Sequence, residues 1–430
     1  MPFLAILPRG WHAAWAGAER FTRFYERPSW DIDEIEIDKK QKVKVSSKTH
    51  ISNKFYKSVG FHAEIPGREE VPFTIQVVPP ISGHHPQLVR PMPRGLVARS
   101  DVRVLAWEDP RQIPADGTDF DLSSQVDAVL DDLEHTYQTT GRPAASTIAV
   151  CQPVGAVATA VALLEMAKSP AKPSTMVLIA GPWDTRVNAT PNNKLVKAVP
   201  FDRIERHLKH PIPHGYNILG EGQEVLPGFI NAGAFAQDSA AKHLIAAPLG
   251  HMTDIIFGNT GAATKHENFY DNYWAFMDIF WAHAKQTIIS VFREHEMPRG
   301  EFVYRGRRPE FYGMKVDYSA INDVATLIVE AKKDPICPPG QTKAFFRSCP
   351  DLPRHMKKYV LMKNVGHYGT FAGSEAEELR QNVILPFIEK HHGERMAQFT
   401  PDGAAAHRTA AALSPRQAAR AARRKDRVLH

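Results

Sequence analysis

The chain has little cysteine. Three residues of this type, Cys151, Cys337 and Cys349, occur among 430. An odd number that small builds no disulfide framework, and none of the three stands in a CxxC pair or beside histidines at zinc spacing. Long apolar runs are missing as well: no stretch approaches the roughly 18–20 residues that a membrane-spanning helix needs. The opening MPFLAILPRGWHAAWAG holds only the short run FLAIL, ahead of its arginine and broken by Pro8. That arrangement does not read as a signal peptide. The expectation is a soluble, cytoplasmic protein with reduced thiols. A strongly basic body is lacking too. The net charge is +6, yet residues 401–430 carry seven Lys/Arg against two Asp. The remainder is close to neutral, which argues against a folded nucleic-acid-binding face.

What is present is an ordinary globular balance, 43% hydrophobic and 23% charged, with ample length for a large core. Residues 1–30 read as a helical arm anchored by Trp11, Trp15, Phe21 and Tyr25. In DIDEIEIDKKQKVKV (31–45) apolar residues alternate with charges, which predicts a β-hairpin with one wet face. Seven lysines fall within residues 39–57, as on a solvated strand. From FTIQVVPP (73–80) onward, apolar strand runs alternate with helical ones. VRVLAW (102–107), STIAVC (146–151), TMVLIAG (175–181), ATLIVEA (325–331) and KYVLMKN (358–364) are the further strands. FDLSSQVDAVLDDLEHTY (120–137) reads as an amphipathic helix capped by Ser123 or Ser124. The pattern predicts an α/β fold with a mostly parallel sheet covered by helices on both faces.

Residues 185–310 interrupt this alternation. They include DNYWAFMDIFWAHAKQTIISVF (271–292), which reads as one aromatic-rich helix. An insertion between late strands of such a sheet is expected to act as a helical lid. The expected organisation is an α/β core over 31–184 and 311–392, the lid over 185–310, and an Ala/Arg-rich tail over 393–430. The tail reads as solvated, or as a basic segment that docks on an acidic surface.

The stretch AVCQPVG (149–155) decides where chemistry is sought. A strand, one reactive residue and a small-residue helix make up the nucleophile elbow. Its common form, G-x-S-x-G, has lost both glycines here: Ala149 and Pro153 stand in their places. Alone, such a cysteine reads more readily as core packing than as a nucleophile. In α/β hydrolases, however, nucleophile, acid and base follow in that order. Asp334 lies just past ATLIVEA. His367, flanked by Gly366 and Gly369, lies just past KYVLMKN. Cys151, Asp334 and His367 are therefore the candidate catalytic residues, with Asp184 as a rival acid. His367 would take the thiol proton, and Asp334 would orient the imidazole. The expected oxyanion donors are the backbone N–H of Gln152 and that of Gly83 or His84 in the loop after the early strand. Trp183, Tyr368, Trp274 and Trp281 are candidate substrate-binding aromatics.

At these residues the chain resembles the intracellular polyhydroxybutyrate depolymerases, α/β hydrolases with a cysteine nucleophile. The resemblance is carried by PPISGHHPQLVR (79–90), IAVCQP (148–153), GPWDTRVNATPNNKL (181–195), MPRGEFVYRGRR (297–308) and NVGHYGTFAG (364–373). It implies a Cys–Asp–His triad acting on a short-chain 3-hydroxyacyl polyester held in storage granules. It implies no cofactor, with coenzyme A open as an acyl acceptor in place of water. Two other readings stay open: a polyester synthase-like acyltransferase or thioesterase, and a non-catalytic granule-binding protein.

Overall fold

The computed structural model describes residues 26–37, 41–67, 73–237 and 247–399. The expected N-terminal arm falls almost wholly, and the basic tail mostly, outside the described residues. The twelve strands of these residues are β1 (Glu34–Ile37), β2 (Gln41–Ser52), β3 (Tyr56–Ala63), β4 (Thr74–Val78), β5 (Asp101–Trp107), β6 (Ser146–Val150), β7 (Thr175–Ile179), β8 (His210–Pro211), β9 (Glu224–Leu226), β10 (Ile279–Phe280), β11 (Ala325–Ala331) and β12 (Lys357–Met362). Nine of them form one sheet in the order β1-β2-β3-β5-β4-β6-β7-β11-β12. The hairpin β1–β2 pairs antiparallel, with Ile35 opposite Val43. Every pairing from β5 through β12 is parallel. This is the mostly parallel, doubly covered sheet that the apolar runs predict.

The period of two decides which core each side chain enters. In β7, Met176 and Leu178 join one apolar cluster, and Val177 and Ile179 join the other. In β6, Ala149 faces the first cluster while Ile148 and Val150 face the second. The sheet is thus dry on both faces, as parallel sheets are.

Helix Leu122–Thr140 is capped by Asp121, whose Oδ1 accepts the Ser124 N–H at 2.7 Å. The cap lies two residues before Ser123 and three before Ser124, because the aspartate meets an orphan donor of the first turn with a charged acceptor. The helix also anchors the base of the lid. Arg308 bridges Asp131 and Glu134 at 2.9 and 2.8 Å, and Tyr304 donates to Asp127.

The inserted segment 185–310, expected as a lid, departs from expectation at one place. Residues 271–292 are not one helix. Helix Thr260–Tyr273 ends, β10 follows, and helix Trp281–Thr287 then runs into a π-helical turn, Ile288–Arg293. The break has a non-local cause. Phe276 forms a β-bridge with His84, Met277 N–H donates to the Gly83 carbonyl at 2.9 Å, and β10 pairs with β9. These backbone bonds to the loop after β4 displace the local helical ones.

Candidate active site

Cys151 follows β6 directly, and helix Val154–Met166 begins three residues later. Its φ is +66°, in the left-handed region that a β-carbon disfavours. The strain swings the side chain off the strand and out of the turn. Ala149 packs in the core, and Pro153 precedes the first helical turn. The close approach is provided from the neighbouring strand instead. A β-carbon on Gly181, just past β7, would stand 2.1 Å from Val154 Cγ2 and 2.4 Å from the Cys151 carbonyl oxygen. The Cys151 N–H donates to Ile179 O at 2.8 Å, fixing the start of the turn.

The loops after β11 and β12 meet beside this elbow. His367 Nδ1 and Asp334 Oδ2 lie 2.7 Å apart, both side chains buried. Asp334 Oδ1 accepts the N–H groups of Ile336 and Cys337 at 2.8 and 2.9 Å. The carboxylate is thereby fixed on both oxygens. Near the end of β11, Glu330 secures the rest of that loop: its oxygens accept Gly340 N–H and Lys343 N–H at 2.7 and 2.9 Å. On its other side His367 is hydrogen-bonded to Cys151. Burial opposes charge on the imidazole, but the Asp334 carboxylate and the Cys151 sulfur outweigh it. The His367 pKa is raised well above its ordinary value. The pair is built to hold a proton on the imidazole when the sulfur is anionic.

Asp184 is placed elsewhere. Its carboxylate accepts Arg186 Nε at 2.8 Å. Burial opposes its ionisation, and the Arg186 guanidinium reverses that and keeps its pKa below the usual range. Its histidine neighbour is His295, not His367.

Two cavities open at Cys151. The larger has a volume of about 300 Å³ and runs beneath the lid, walled by Ile81, Leu208, Leu226, Ile279, Ile288 and Phe292. A few polar groups, among them Asn193 and His283, interrupt the apolar wall. The smaller, 20 Å³, lies on the His367 side and is bounded by Ser82, His84, Tyr368 and Phe371. Tyr368 is hydrogen-bonded to Tyr273 of the lid. Burial and that neighbouring hydroxyl push the Tyr368 phenol well above its ordinary range.

Of the expected oxyanion residues, Gln152 and His84 border these cavities and Gly83 does not. Gly83, at φ +90°, turns away and gives its carbonyl to the lid. Ser82 borders both cavities beside Cys151. Two of the expected substrate aromatics are corrected as well. Trp183 is packed edge-on between Tyr318 and Phe345, 1% exposed. Trp281 is buried against the core and donates to Glu205 at 3.1 Å. Neither lines a cavity at Cys151, because each ring is taken up in core packing. Trp274 packs with Tyr270, Tyr273 and Phe276 in the aromatic cluster behind His84.

A polar network went unread in the sequence. Gln152 Oε1 accepts the Ile81 N–H at 3.1 Å and Gln125 Nε2 at 3.0 Å. Gln152 Nε2 donates back to Gln125 Oε1 at 2.9 Å. The same Gln125 oxygen lies 3.1 Å from His283 Nε2. Burial lowers the His283 pKa to about 3, so the ring is neutral and donates. The elbow, the loop after β4 and the 185–310 insertion are tied by these four residues. The signal available was Gln125 itself, an amide on the apolar face of an amphipathic helix.

Among the described residues, no group of His, Cys, Asp and Glu is arranged to hold a metal ion. Nor is any of their helices long and apolar enough to cross a membrane.

The sheet order, the strained elbow and the buried Asp–His pair mark an α/β hydrolase. The family model of the PHB de-polymerase C-terminus matches residues 180–392. Those residues are similar to the C-terminal domain of polyhydroxybutyrate depolymerases. They contain the lid, Asp334 and His367. No curated protein matches the chain. Similar solved structures include a putative lipase from Acinetobacter baumannii AYE, 13% identical, covering 81% of this chain and 93% of that one at a TM-score of 0.41. A thermophilic esterase from Thermogutta terrifontis is 12% identical, with 84% and 99% covered and a TM-score of 0.40. A monoacylglycerol lipase from Paleococcus ferrophilus is 13% identical, with 74% and 94% covered and a TM-score of 0.40.

Proposed function

We propose that the chain is an ester hydrolase that depolymerises poly(3-hydroxybutyrate) or a close short-chain polyester through an acyl-cysteine. The observation that carries this reading is Cys151, held at φ +66° with the buried His367–Asp334 pair at its side and a mostly apolar 300 Å³ cleft before it. The depolymerase domain over residues 180–392 supports the polyester as substrate.

Each residue has a role in this scheme. His367 takes the thiol proton as the sulfur attacks the ester carbonyl. Asp334 holds the imidazole with its proton on Nδ1 and stabilises the cation. The backbone N–H of Gln152 and that of Ser82 face the developing oxyanion. The imidazolium then protonates the departing hydroxyl of the next monomer, leaving a thioester on Cys151. The apolar cleft accepts the methyl-bearing chain and excludes water from its length. The protein works in the cytoplasm on stored polymer.

The reading is tested by incubating amorphous polymer granules with the wild type and with Cys151→Ala, and measuring released 3-hydroxybutyrate. Release by the wild type alone supports the proposal. Equal release by both removes Cys151 as nucleophile.

A further inference from the structure

The small cavity beside His367 holds what a single solvent molecule needs. Its 20 Å³ exceeds the roughly 10–15 Å³ that one water requires and leaves no room for a second. It is bounded by Cys151 and His367, so its occupant lies next to the carbon of any acyl group on the sulfur. Three further polar residues border it: Ser82, His84 and Tyr368, whose phenol is engaged with Tyr273.

His84 is the informative one. It is 2% exposed, and its Nε2 is buried without a hydrogen-bond partner. Leaving such an atom unpaired is costly, so a partner is called for. The ring is hydrogen-bonded to the backbone of Tyr273, and a carbonyl there can only accept. That puts the ring proton on Nδ1 and leaves Nε2 as a lone-pair acceptor. Burial, with His85 adding to it, lowers the His84 pKa to about 4, so the ring stays neutral and keeps its acceptor through the physiological range. Packing against Tyr273 and Phe276 fixes the ring plane.

Coenzyme A offers a poor match to this site. A thiol carried on a long, charged tail must reach the thioester through an open channel, and the wall at this point is Tyr368, Phe371 and Leu88.

From this geometry we infer that His84 and His367 together hold the water that deacylates Cys151, and that the acyl acceptor is therefore water. The inference rests on the acyl-cysteine reading above. In the step, His367 Nε2 accepts one proton of the water while His84 Nε2 accepts a hydrogen bond from the other O–H. The water oxygen bonds to the thioester carbon. The tetrahedral intermediate collapses, the C–S bond breaks, and the imidazolium returns its proton to the thiolate. The products are a 3-hydroxy acid and free Cys151, with nothing oxidised or reduced. His84 sets the direction of the attacking lone pair, and a misplacement of about 1 Å in such geometry costs about 10²-fold.

The test separates acylation from deacylation. A p-nitrophenyl 3-hydroxybutyrate ester reports acylation as a burst of nitrophenolate and deacylation as the steady rate that follows. The wild type, His84→Phe and His84→Gln are compared, with intact mass recorded during turnover and with the product formed in ¹⁸O-water. The expected result is a burst of full amplitude in all three. In His84→Phe the steady rate falls about 10²-fold and the acyl-enzyme mass accumulates. In His84→Gln, whose amide oxygen restores an acceptor, about tenfold of that loss returns. Wild-type product carries ¹⁸O. An unchanged steady rate in His84→Phe overturns the inference. So does loss of the burst in that variant alone, which would place the ring in acylation or folding. Turnover that needs added coenzyme A, with no ¹⁸O incorporated, overturns it as well. Turnover by Cys151→Ala at the wild-type rate, with no acyl mass on the protein in any variant, is a different failure, that of the acyl-cysteine reading.

Discussion

Replacing Asp334 with asparagine changes one atom and tests the electrostatics of the proposed triad. Asp334 Oδ1 is committed to the N–H groups of Ile336 and Cys337. In Asp334→Asn those two donors select the amide oxygen, since an NH₂ there would face them donor to donor. The amide nitrogen must then occupy the place of Oδ2, 2.7 Å from His367 Nδ1. Facing a donor, Nδ1 gives up its hydrogen and the imidazole proton moves to Nε2, the nitrogen beside Cys151. The base is now protonated where it should accept, and the carboxylate that raises its pKa is gone. Loss of the equivalent carboxylate in serine hydrolases lowers kcat by about 10⁴, and a thiol, being easier to ionise, lowers the expectation to about 10³–10⁴, or about 4–5.5 kcal/mol of transition-state stabilisation. The comparison is Asp184→Asn, whose carboxylate is occupied by Arg186 and whose loss should change the rate less than tenfold. Initial rates on a soluble 3-hydroxybutyrate oligomer, measured from pH 6 to 9 with folding checked by near-UV circular dichroism, decide between them. If Asp184→Asn is the more damaging, or if Asp334→Asn stays within tenfold of wild type while folded, the assignment of the acid is wrong.

Further outcomes follow from the same structure. Cys151→Ala should lose turnover by several orders of magnitude, and adding Asp334→Asn to it should cost almost nothing more, since triad members act as a unit; measured rates of the single and double variants check this. Gly181→Ala should destabilise the fold by about 1–3 kcal/mol, because its methyl group meets Val154 and the backbone of the elbow; urea denaturation reads the loss, and a stability equal to wild type would refute the close-packing account of an elbow without flanking glycines. Leu226→Trp at the cleft wall should shift preference toward shorter oligomers, seen as a rise in KM for the longer ones with little change for the dimer. Stability should also fall on the acid side. His84, His85 and His283 are buried with pKa values lowered to about 4, 3 and 3, chiefly by burial. Below the unfolded value of about 6.5 the unfolded chain binds protons that the folded one refuses, so stability rises with pH through this range, and at pH 5 each histidine withdraws up to about 2 kcal/mol. Thermal melts between pH 5 and 7.5 measure it; a midpoint that does not move would show that these rings reach solvent protons.

How far the sequence led depends on whether the cause of a feature is local. The strands were legible because apolar runs such as TMVLIA and ATLIVEA are buried on both faces, which periodicity reports directly. Cys151, Asp334 and His367 were legible because each stands just past its own strand, and chain order carries over to sheet position. The break in 271–292 was not, since the apolar spacing there fits a helix and only backbone bonds to Gly83 and β9 overrule it. Ser82 was hidden behind Gly83 for a related reason: which residue of a tight loop borders the nucleophile is fixed by the turn, and the turn is fixed by the lid. Trp183 and Trp281 look like binding residues by type, yet their burial is set by neighbours far away in sequence. The Gln152–Gln125–His283 chain joins three segments, and of its residues only Gln125, an amide on an apolar helix face, carries a signal when taken singly.

The central claim is that Cys151 carries the acyl group of a 3-hydroxybutyrate ester. Intact mass of the wild-type protein, quenched in acid within milliseconds of mixing with a 3-hydroxybutyrate oligomer, tests it most directly. A mass increase equal to one or more 3-hydroxybutyryl units, mapped to the peptide containing Cys151 and absent in Cys151→Ala, is the result predicted here. Monomer release at full rate with no such adduct, or with the adduct on another residue, would contradict it.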